Sequence, residues 1–191
     1  MAMAMSDTVV TRRFTVDEYH RMAEAGILRH RERVELMDGE IVVMSPIGPR
    51  HGACVGSGNR ALVRAAGDDA IVFPQSSVRL DLFYEPEPDL ALLRPRDDFY
   101  ASRHAGPGDI FLIVEIADSS LAYDRDVKAV AYAAAGIPEY WLADLTVNVL
   151  WRYLSPERGT YQRLEESRRG QLIAPLQLPT CVVPVDAFLI E

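Results

Sequence analysis

Two acidic residues interrupt apolar segments of this chain. Asp89 lies near the start of 88–93 (Pro-Asp-Leu-Ala-Leu-Leu), and Glu115 lies within 110–117 (Ile-Phe-Leu-Ile-Val-Glu-Ile-Ala). Because an unpaired buried carboxylate is costly, such acids are normally paired with a base or bound to a metal. If the two segments are neighbouring strands, both carboxylates can bind one cation. With no histidine or thiolate close to either acid along the chain, oxygen ligands favour Mg²⁺ or Mn²⁺ over zinc. An ion pair with an arginine explains the same residues, and both interpretations stay open.

The chain has a single lysine, Lys128, among its 20 basic residues. A lysine ammonium is compact and can approach a reacting water or phosphate, whereas a guanidinium is a planar, permanently charged fork. On a helix, Lys128 shares one stripe with Asp124 and Tyr132, which are four residues away on either side. A surface ion pair between Asp124 and Lys128 is the alternative to a chemical role. The helix side expected to dock on the sheet carries Val127, Val130, Ala131 and Ala134.

The elements that position these residues can be predicted from local signals. Thr15 and Glu18 indicate a capped helix that ends at Gly26, and Asp38-Gly39 indicates a hairpin turn. Further helices are predicted at 49–66 and 121–135, and strands at 34–44 (the hairpin), 70–82, 88–93, 110–117 and 139–154 (a pair), followed by an edge strand in the tail. This order predicts an α/β fold, a mixed sheet covered by helices.

Composition limits the class of protein. The 191 residues predict one domain over 10–191, with residues 1–9 as a flexible N-terminus. The two cysteines, Cys54 and Cys181, are far apart, which argues against a disulfide framework and a zinc site and suits a reducing cytoplasm. No signal peptide and no long apolar run are evident, so no membrane segment is expected.

The net charge of −8 argues against a protein held on nucleic acid by charge alone. Any DNA-binding face must therefore be local. Arginines do cluster along the chain, at 12–13, at 29, 31 and 33, and at 50, 60 and 64. A solvated, arginine-rich surface is the commoner explanation of such clusters.

Five segments together resemble the Uma-two restriction endonuclease family, a bacterial branch of the PD-(D/E)XK nuclease superfamily. They are Glu32–Ile41, Ser45–His51, Glu87–Leu92, Val114–Lys128 and Tyr132–Asp144. The resemblance implies a restriction-endonuclease-like mixed β-sheet flanked by helices. It also implies a nuclease that cleaves DNA phosphodiester bonds with a divalent metal, normally Mg²⁺ or Mn²⁺.

The resemblance assigns the superfamily's two metal-binding acids to Asp89 and Glu115. Together with the backbone carbonyl of Ile116, they would hold one Mg²⁺. The superfamily lysine normally follows the second acid by two residues, where this chain has Ala117. The resemblance therefore implies that the lysine has moved to the following helix, as Lys128, where it would orient the attacking water.

Four further residues receive supporting roles from the resemblance. Glu35 would be an additional acid of the site, with a place on the hairpin surface as the alternative. His51 would touch phosphate, with a capping or core-polar histidine as the alternative. Tyr132 and Asp124 would support Lys128 from the same helix stripe.

Three functions remain open at this point. The first is a metal-dependent endonuclease acting on DNA. The second is a catalytically silent nuclease fold kept for binding or as a scaffold, and the third is a phosphodiesterase acting on a non-duplex substrate. A homodimer is expected, because duplex cleavage needs two sites and because the aromatic residues at 140–141 and 151–153 offer apolar area for an interface.

Overall fold

The computed structural model describes residues 11–29 and 32–190. The predicted flexible N-terminus, residues 1–9, lies outside this range, as does Arg31 of one arginine cluster. The elements are α1 (Val16–Glu24), β1 (Val34–Met37), β2 (Glu40–Val43), α2 (Pro49–Ala66), β3 (Ile71–Pro74), β4 (Leu90–Leu93), β5 (Ile110–Ala117), α3 (Leu121–Tyr123), a π-helical turn (Asp124–Lys128), α4 (Ala129–Ala134), β6 (Glu139–Asp144), β7 (Val149–Glu157), β8 (Thr160–Ser167), β9 (Leu172–Ile173) and β10 (Val183–Pro184).

A six-stranded mixed sheet with the order β3-β4-β5-β6-β7-β8 forms the centre of the fold. The β5–β6 pair is parallel and the other neighbours are antiparallel. The prediction of an α/β fold with a mixed sheet flanked by helices is therefore confirmed. The strands that carry the two acids are neighbours, with Leu90 opposite Val114, so Asp89 lies beside Glu115 at the end of β4.

Local signals explain the first elements. The hydroxyl of Thr15 accepts from the backbone amide of Glu18, and the Glu18 carboxylate accepts from the Thr15 amide, so α1 begins with a complete capping box. The β1–β2 hairpin turns at Asp38 and Gly39, whose φ angles are 53° and 75°. Left-handed backbone at both positions is the conformation that an Asp-Gly turn favours.

Each face of the sheet packs against its own layer. One face packs against α2 and the C-terminal residues around Phe188, and this core contains both cysteines as free, buried thiols. The other face packs against the helical segment 121–134. Between residues 11 and 190, leaving out 30–31, no helix is both long enough and apolar enough to cross a membrane.

Three sequence predictions need correction. The strand predicted at 70–82 ends at Pro74, because Gln75 adopts a φ of 45° and the chain turns away. Val127 and Val130 do not dock on the sheet, since they are 42% and 48% exposed. The aromatic residues Tyr140 and Trp141 are fully buried within the chain, so they offer no area for a dimer interface.

Candidate active site

A cleft of about 440 Å³ lies at the ends of β4 and β5. Its charged lining consists of six acidic side chains, two permanently basic ones and one histidine: Glu35, Glu87, Asp89, Glu115, Asp118 and Asp124, with Arg33, Lys128 and His51. The excess of carboxylates makes the cleft negative. Such a cleft would repel a phosphate unless further positive charge enters it.

The side chains of Asp89 and Glu115 each accept a hydrogen bond from a backbone amide of the neighbouring segment. The amide of Asp89 donates to Glu115 Oε2 at 3.2 Å, and the amide of Ile116 donates to Asp89 Oδ2 at 2.9 Å. These reciprocal bonds follow from the antiparallel pairing of β4 and β5, which brings the end of one strand beside the middle of the other. The structure thus places the amide of Ile116, the residue predicted to contribute its carbonyl, directly against Asp89.

Lys128 is a buried counter-ion, not a surface residue. Its Nζ lies 2.9 Å from Glu115 Oε1 and 3.2 Å from Glu35 Oε2, and the residue is only 4% exposed. The predicted stripe of Asp124, Lys128 and Tyr132 is itself the side of the helix that faces the sheet. The sequence predicted that this stripe lies beside the docking face rather than on it, because the acids that compensate Lys128 are distant in the chain. The alternative of a surface Asp124–Lys128 pair is wrong, since Asp124 accepts from the Ser120 hydroxyl instead.

Two of the site residues, Asp124 and Lys128, are the first and last residues of a π-helical turn. A π-turn is rare, and such turns occur frequently at functional sites. Both ends of this turn are buried, whereas Arg125 within it is exposed and pairs with Asp126. The turn therefore directs its two buried ionisable residues into the cleft and the rest toward solvent.

Glu35 is also buried in the cleft and does not lie on the hairpin surface. Its Oε1 accepts from the hydroxyl of Tyr123 at 2.9 Å, and its Oε2 accepts from the amide of Glu87 at 3.0 Å. Glu35 is 1% exposed. Sequence reasoning missed Tyr123, although it lies next to Asp124 in the segment that resembles the family. Burial and the nearby charge of Glu35 raise the pKa of Tyr123, so the hydroxyl stays a donor.

Tyr132 and His51 each contact one acid. The hydroxyl of Tyr132 donates to Glu115 Oε1 at 2.8 Å, so it supports Lys128 only through their shared carboxylate. His51 comes from the first turn of α2, and its Nε2 lies 2.9 Å from Asp89 Oδ2. The fold thus brings a histidine to the acids although none is near them in sequence. The hydrogen bond to Asp89 raises the pKa of His51, against the effect of burial.

The ring of His51 has one nitrogen without a partner. Among the residues that the structure describes, none forms a hydrogen bond with the buried Nδ1. His51 also makes no side-chain cap at the start of α2. The capping alternative is therefore wrong, and the open nitrogen belongs to a side chain that lines the cleft.

The burial of these charges shifts their ionisation. Desolvation raises the pKa of Glu115 well above its ordinary value, although Lys128 opposes this shift. Desolvation also raises the pKa of Asp124 to about 6. Burial alone would lower the pKa of Lys128, but the charges of Glu115 and Glu35 reverse the effect and raise it. One lysine therefore does not fully compensate the buried carboxylates.

The donor set of the cleft fits a hard divalent cation. Carboxylate oxygens are the ligands that Mg²⁺ and Mn²⁺ prefer. Asp89 Oδ1 accepts no hydrogen bond from the part of the chain that the structure describes, so it is an open acceptor. The Glu115 carboxylate has fewer free acceptor positions, since it accepts hydrogen bonds from Lys128, Tyr132 and the Asp89 amide. The residues that could hold a cation are thus Asp89 first and Glu115 second.

Comparison with known proteins agrees with the fold and with the resemblance. The sequence model of the Uma2 family, described as "Putative restriction endonuclease", matches residues 16–186. The fold is similar to the crystal structure of a protein from Anabaena variabilis ATCC 29413 that is described as a putative nuclease belonging to DUF820. The TM-score is 0.69 at 14% identity, and the match covers 92% of this chain and 97% of that chain. No curated protein matches the sequence.

Proposed function

Because the chain belongs to the Uma2 family of restriction-endonuclease-like proteins, we propose that it hydrolyses DNA phosphodiester bonds with the help of a divalent cation, Mg²⁺ or Mn²⁺. The observation that supports this most strongly is the joint position of Asp89, Glu115 and Lys128. Two acids from neighbouring segments of the sheet meet in the lining of a cleft, and the only lysine of the chain lies 2.9 Å from one of them.

Asp89 and Glu115 are the proposed ligands of the cation, together with the carbonyl of Ile116. A bound divalent cation would supply a Lewis acid for a phosphoryl oxygen and would offset the negative charge of the cleft. The reciprocal bonds between the Asp89 and Ile116 amides and the two carboxylates keep these ligands in place before any substrate binds. Such preorganisation is what a hydrolytic site requires.

Lys128 is the proposed residue that orients the attacking water. An ammonium group has three N–H donors, and two of them point to Glu115 and Glu35. The third donor is left for a water or a phosphate oxygen. The two acids hold the ammonium in one position and also keep it charged, because they raise its pKa.

The remaining site residues have supporting roles in this proposal. Glu35 positions Lys128, Tyr132 positions Glu115, and Asp124 adds negative charge beside them. His51 is proposed to donate to a phosphate from Nδ1 as an imidazolium, since its Nε2 is directed to Asp89 and that hydrogen bond raises its pKa. Arg33 lines the same cleft, where it pairs with Glu87 at 2.9 Å, and is available for a second phosphate contact.

One observation favours a different function, a catalytically silent scaffold. The net charge is −8, and the cleft itself is rich in acids, so the protein attracts DNA only through local arginines and a bound cation. A phosphodiesterase acting on a non-duplex substrate would use the same site residues. Under the endonuclease proposal, the protein acts as a homodimer in the cytoplasm, where its two free thiols stay reduced.

A calorimetric titration with Mn²⁺ distinguishes the enzyme from the scaffold. The unmodified protein is expected to bind one equivalent in its cleft, and Asp89→Asn is expected to lose that binding. Identical titrations of the two proteins would show that Asp89 does not bind the cation, and the proposed metal site would be wrong. A cleavage screen over single-stranded, duplex, branched and methylated DNA then identifies the substrate class, and cleavage of single strands alone would favour the phosphodiesterase.

A further inference from the structure

A second group of potential metal ligands lies outside the cleft. His20, Glu85 and His104 each offer one ligand atom, and these atoms all lie within 4.8 Å of one another. Across residues 11–29 and 32–190, this is the only group of three or more histidine, cysteine or acidic side chains with ligand atoms so close together. None of the three lines the cleft described above.

The three ligands come from three separate segments. His20 lies on α1, and Glu85 lies between β3 and β4, where its backbone pairs with Leu36 of β1 through N–O distances of 2.8 and 3.3 Å. His104 lies between β4 and β5. The rings of His20 and His104 meet edge to face with centroids 5.5 Å apart. A cation bound here would therefore connect three segments that are distant in sequence.

Glu85 is a buried acid, and only one of its two carboxylate oxygens forms a hydrogen bond with the residues that the structure describes. The residue is 2% exposed, and its Oε1 lies 2.7 Å from His20 Nε2. Its Oε2 is buried and forms no hydrogen bond with any residue that the structure describes. Glu35 and Glu139, which are buried to the same degree, have Lys128 and Arg152 as ion-pair partners. A buried carboxylate oxygen without a partner is costly, and a bound cation would satisfy it.

One of the two histidines, His104, has a hydrogen bond of the kind that metal ligands make. His104 Nδ1 lies 3.3 Å from the carbonyl of Ser77, so with its proton on Nδ1 the ring presents the lone pair of Nε2 to a cation. Metal-binding histidines commonly donate their second ring nitrogen to a carbonyl in this way. The side chain of His20 is 39% exposed and that of His104 lies at the surface, so both rings have room to adjust.

We propose that His20, Glu85 and His104 form a second cation site that takes zinc or a similar transition metal, with water as the fourth ligand. Two imidazoles and one carboxylate are typical zinc ligands, whereas Mg²⁺ prefers oxygen alone. With ligand distances of about 2.0–2.2 Å, ligand atoms in a tetrahedral site lie about 3.3–3.5 Å apart. The ligand atoms of the three side chains are separated by distances from 2.7 Å to at most 4.8 Å, a range that includes this value. Small side-chain rotations would therefore bring them to tetrahedral spacing.

The proposed role of this site is structural. Leu36, the backbone partner of Glu85, directly follows Glu35, which holds Lys128 in the cleft. A cation at Glu85 would therefore stabilise the strand that presents Glu35. The cation site does not depend on the nuclease proposal, since its three ligands lie outside the cleft.

Cobalt titration of chelator-treated protein tests the site, because Co²⁺ in a tetrahedral nitrogen and oxygen site absorbs visible light. The titration uses Asp89→Asn as the parent, so that the cleft lacks its first proposed ligand. The parent is expected to bind one equivalent of Co²⁺ with tetrahedral absorption. Adding His104→Ala, a change at an exposed ring, should weaken binding at least about 100-fold, since even outer-shell changes cost 10–100-fold. Adding Asp126→Asn instead, a change at an exposed acid that belongs to neither site, should leave binding unchanged.

Thermal unfolding gives a second measurement. Zn²⁺ should raise the unfolding temperature of the Asp89→Asn parent but not that of the same protein with His104→Ala, because only a ligand that binds the folded state stabilises it. The unfolding temperatures of both proteins without metal check that His104→Ala still folds. No Co²⁺ binding in the parent, or equal binding with and without His104, would overturn the proposal and leave Glu85 and His20 as a simple pair. Either outcome leaves the cleft proposal untouched.

Discussion

Replacing Lys128 with methionine tests how the cleft is held together. Methionine has a similar length but no charge, so Lys128→Met leaves the carboxylates of Glu35 and Glu115 buried without their cation. Removing one partner of a buried ion pair typically costs about 3–5 kcal/mol, because the remaining charge is uncompensated. For a chain of this length, that loss corresponds to a fall of about 6–20 °C in the unfolding temperature.

The assay is urea and thermal unfolding at neutral pH, compared with a control from the same helical turn. Arg125 is also basic but is exposed, and it pairs with Asp126 at the surface. Arg125→Met should leave the unfolding midpoint nearly unchanged. If Lys128→Met unfolds at the same midpoint as Arg125→Met, the interpretation of Lys128 as a buried counter-ion is wrong.

The pH dependence gives a second criterion for Lys128→Met. The pKa of Glu115 is already raised by burial, and loss of Lys128 should raise it further. A carboxyl with a higher pKa in the folded than in the unfolded state makes stability fall as pH rises, because the folded state retains its proton longer. The difference in free energy of unfolding between Lys128→Met and the unmodified protein should therefore be small at pH values below the ordinary glutamate pKa of 4.5 and larger at pH values above it. A difference that is constant with pH would refute the reasoning.

Three further predictions concern packing, DNA binding and assembly. Gly58→Ala should lower the free energy of unfolding by about 1–3 kcal/mol through overpacking, since the added Cβ would lie 2.7 Å from the Phe188 ring. Gly56→Ala in the same helix, where no such neighbour lies within 4 Å, should raise it by about 0.5–1 kcal/mol. Urea unfolding that reverses this order would contradict the packing of α2. DNA affinity should fall steeply between about 50 and 200 mM salt, because local arginines and a cation must attract the phosphates, and a salt-independent affinity would point to another ligand. Light scattering should give twice the chain mass of 21.3 kDa, and the mass of a single chain would exclude the dimer.

Much of the fold could be predicted because its signals are local. Helix α2 begins and ends where Pro49 and Ala66 were predicted, and β5 spans the whole predicted run 110–117. Strand β8 (Thr160–Ser167) was not recognised, because it lies at the edge of the sheet and most of its residues are exposed and polar. In the sequence, only Gly159 indicates a hairpin turn there. The structure places Arg158 and Gly159 in a turn where both φ angles are positive.

The sequence indicated most residues of the candidate site, but it did not indicate how they are arranged. Asp89 and Glu115 stand out as acids in apolar strands, and Lys128 stands out as the single lysine. Lys128 partly compensates the charges of Glu115 and Glu35 across the fold, and this long-range effect is why a charged helix stripe is buried. Tyr123 has no sequence signal beyond its neighbours, since its hydrogen bond to Glu35 depends on how the hairpin packs against the helix.

Cleavage of DNA with and without Mg²⁺ or Mn²⁺ tests the central claim most directly. The unmodified protein is expected to cut DNA only when one of these cations is present. Asp89→Asn should abolish cleavage, and Lys128→Arg should reduce it by about 10²–10³-fold, because a guanidinium cannot occupy the place of a compact ammonium. Asp126→Asn, which changes an exposed acid within the same π-helical turn, should cut at the normal rate. Equal cleavage by Asp89→Asn and the unmodified protein, or cleavage that needs no cation, would contradict the account.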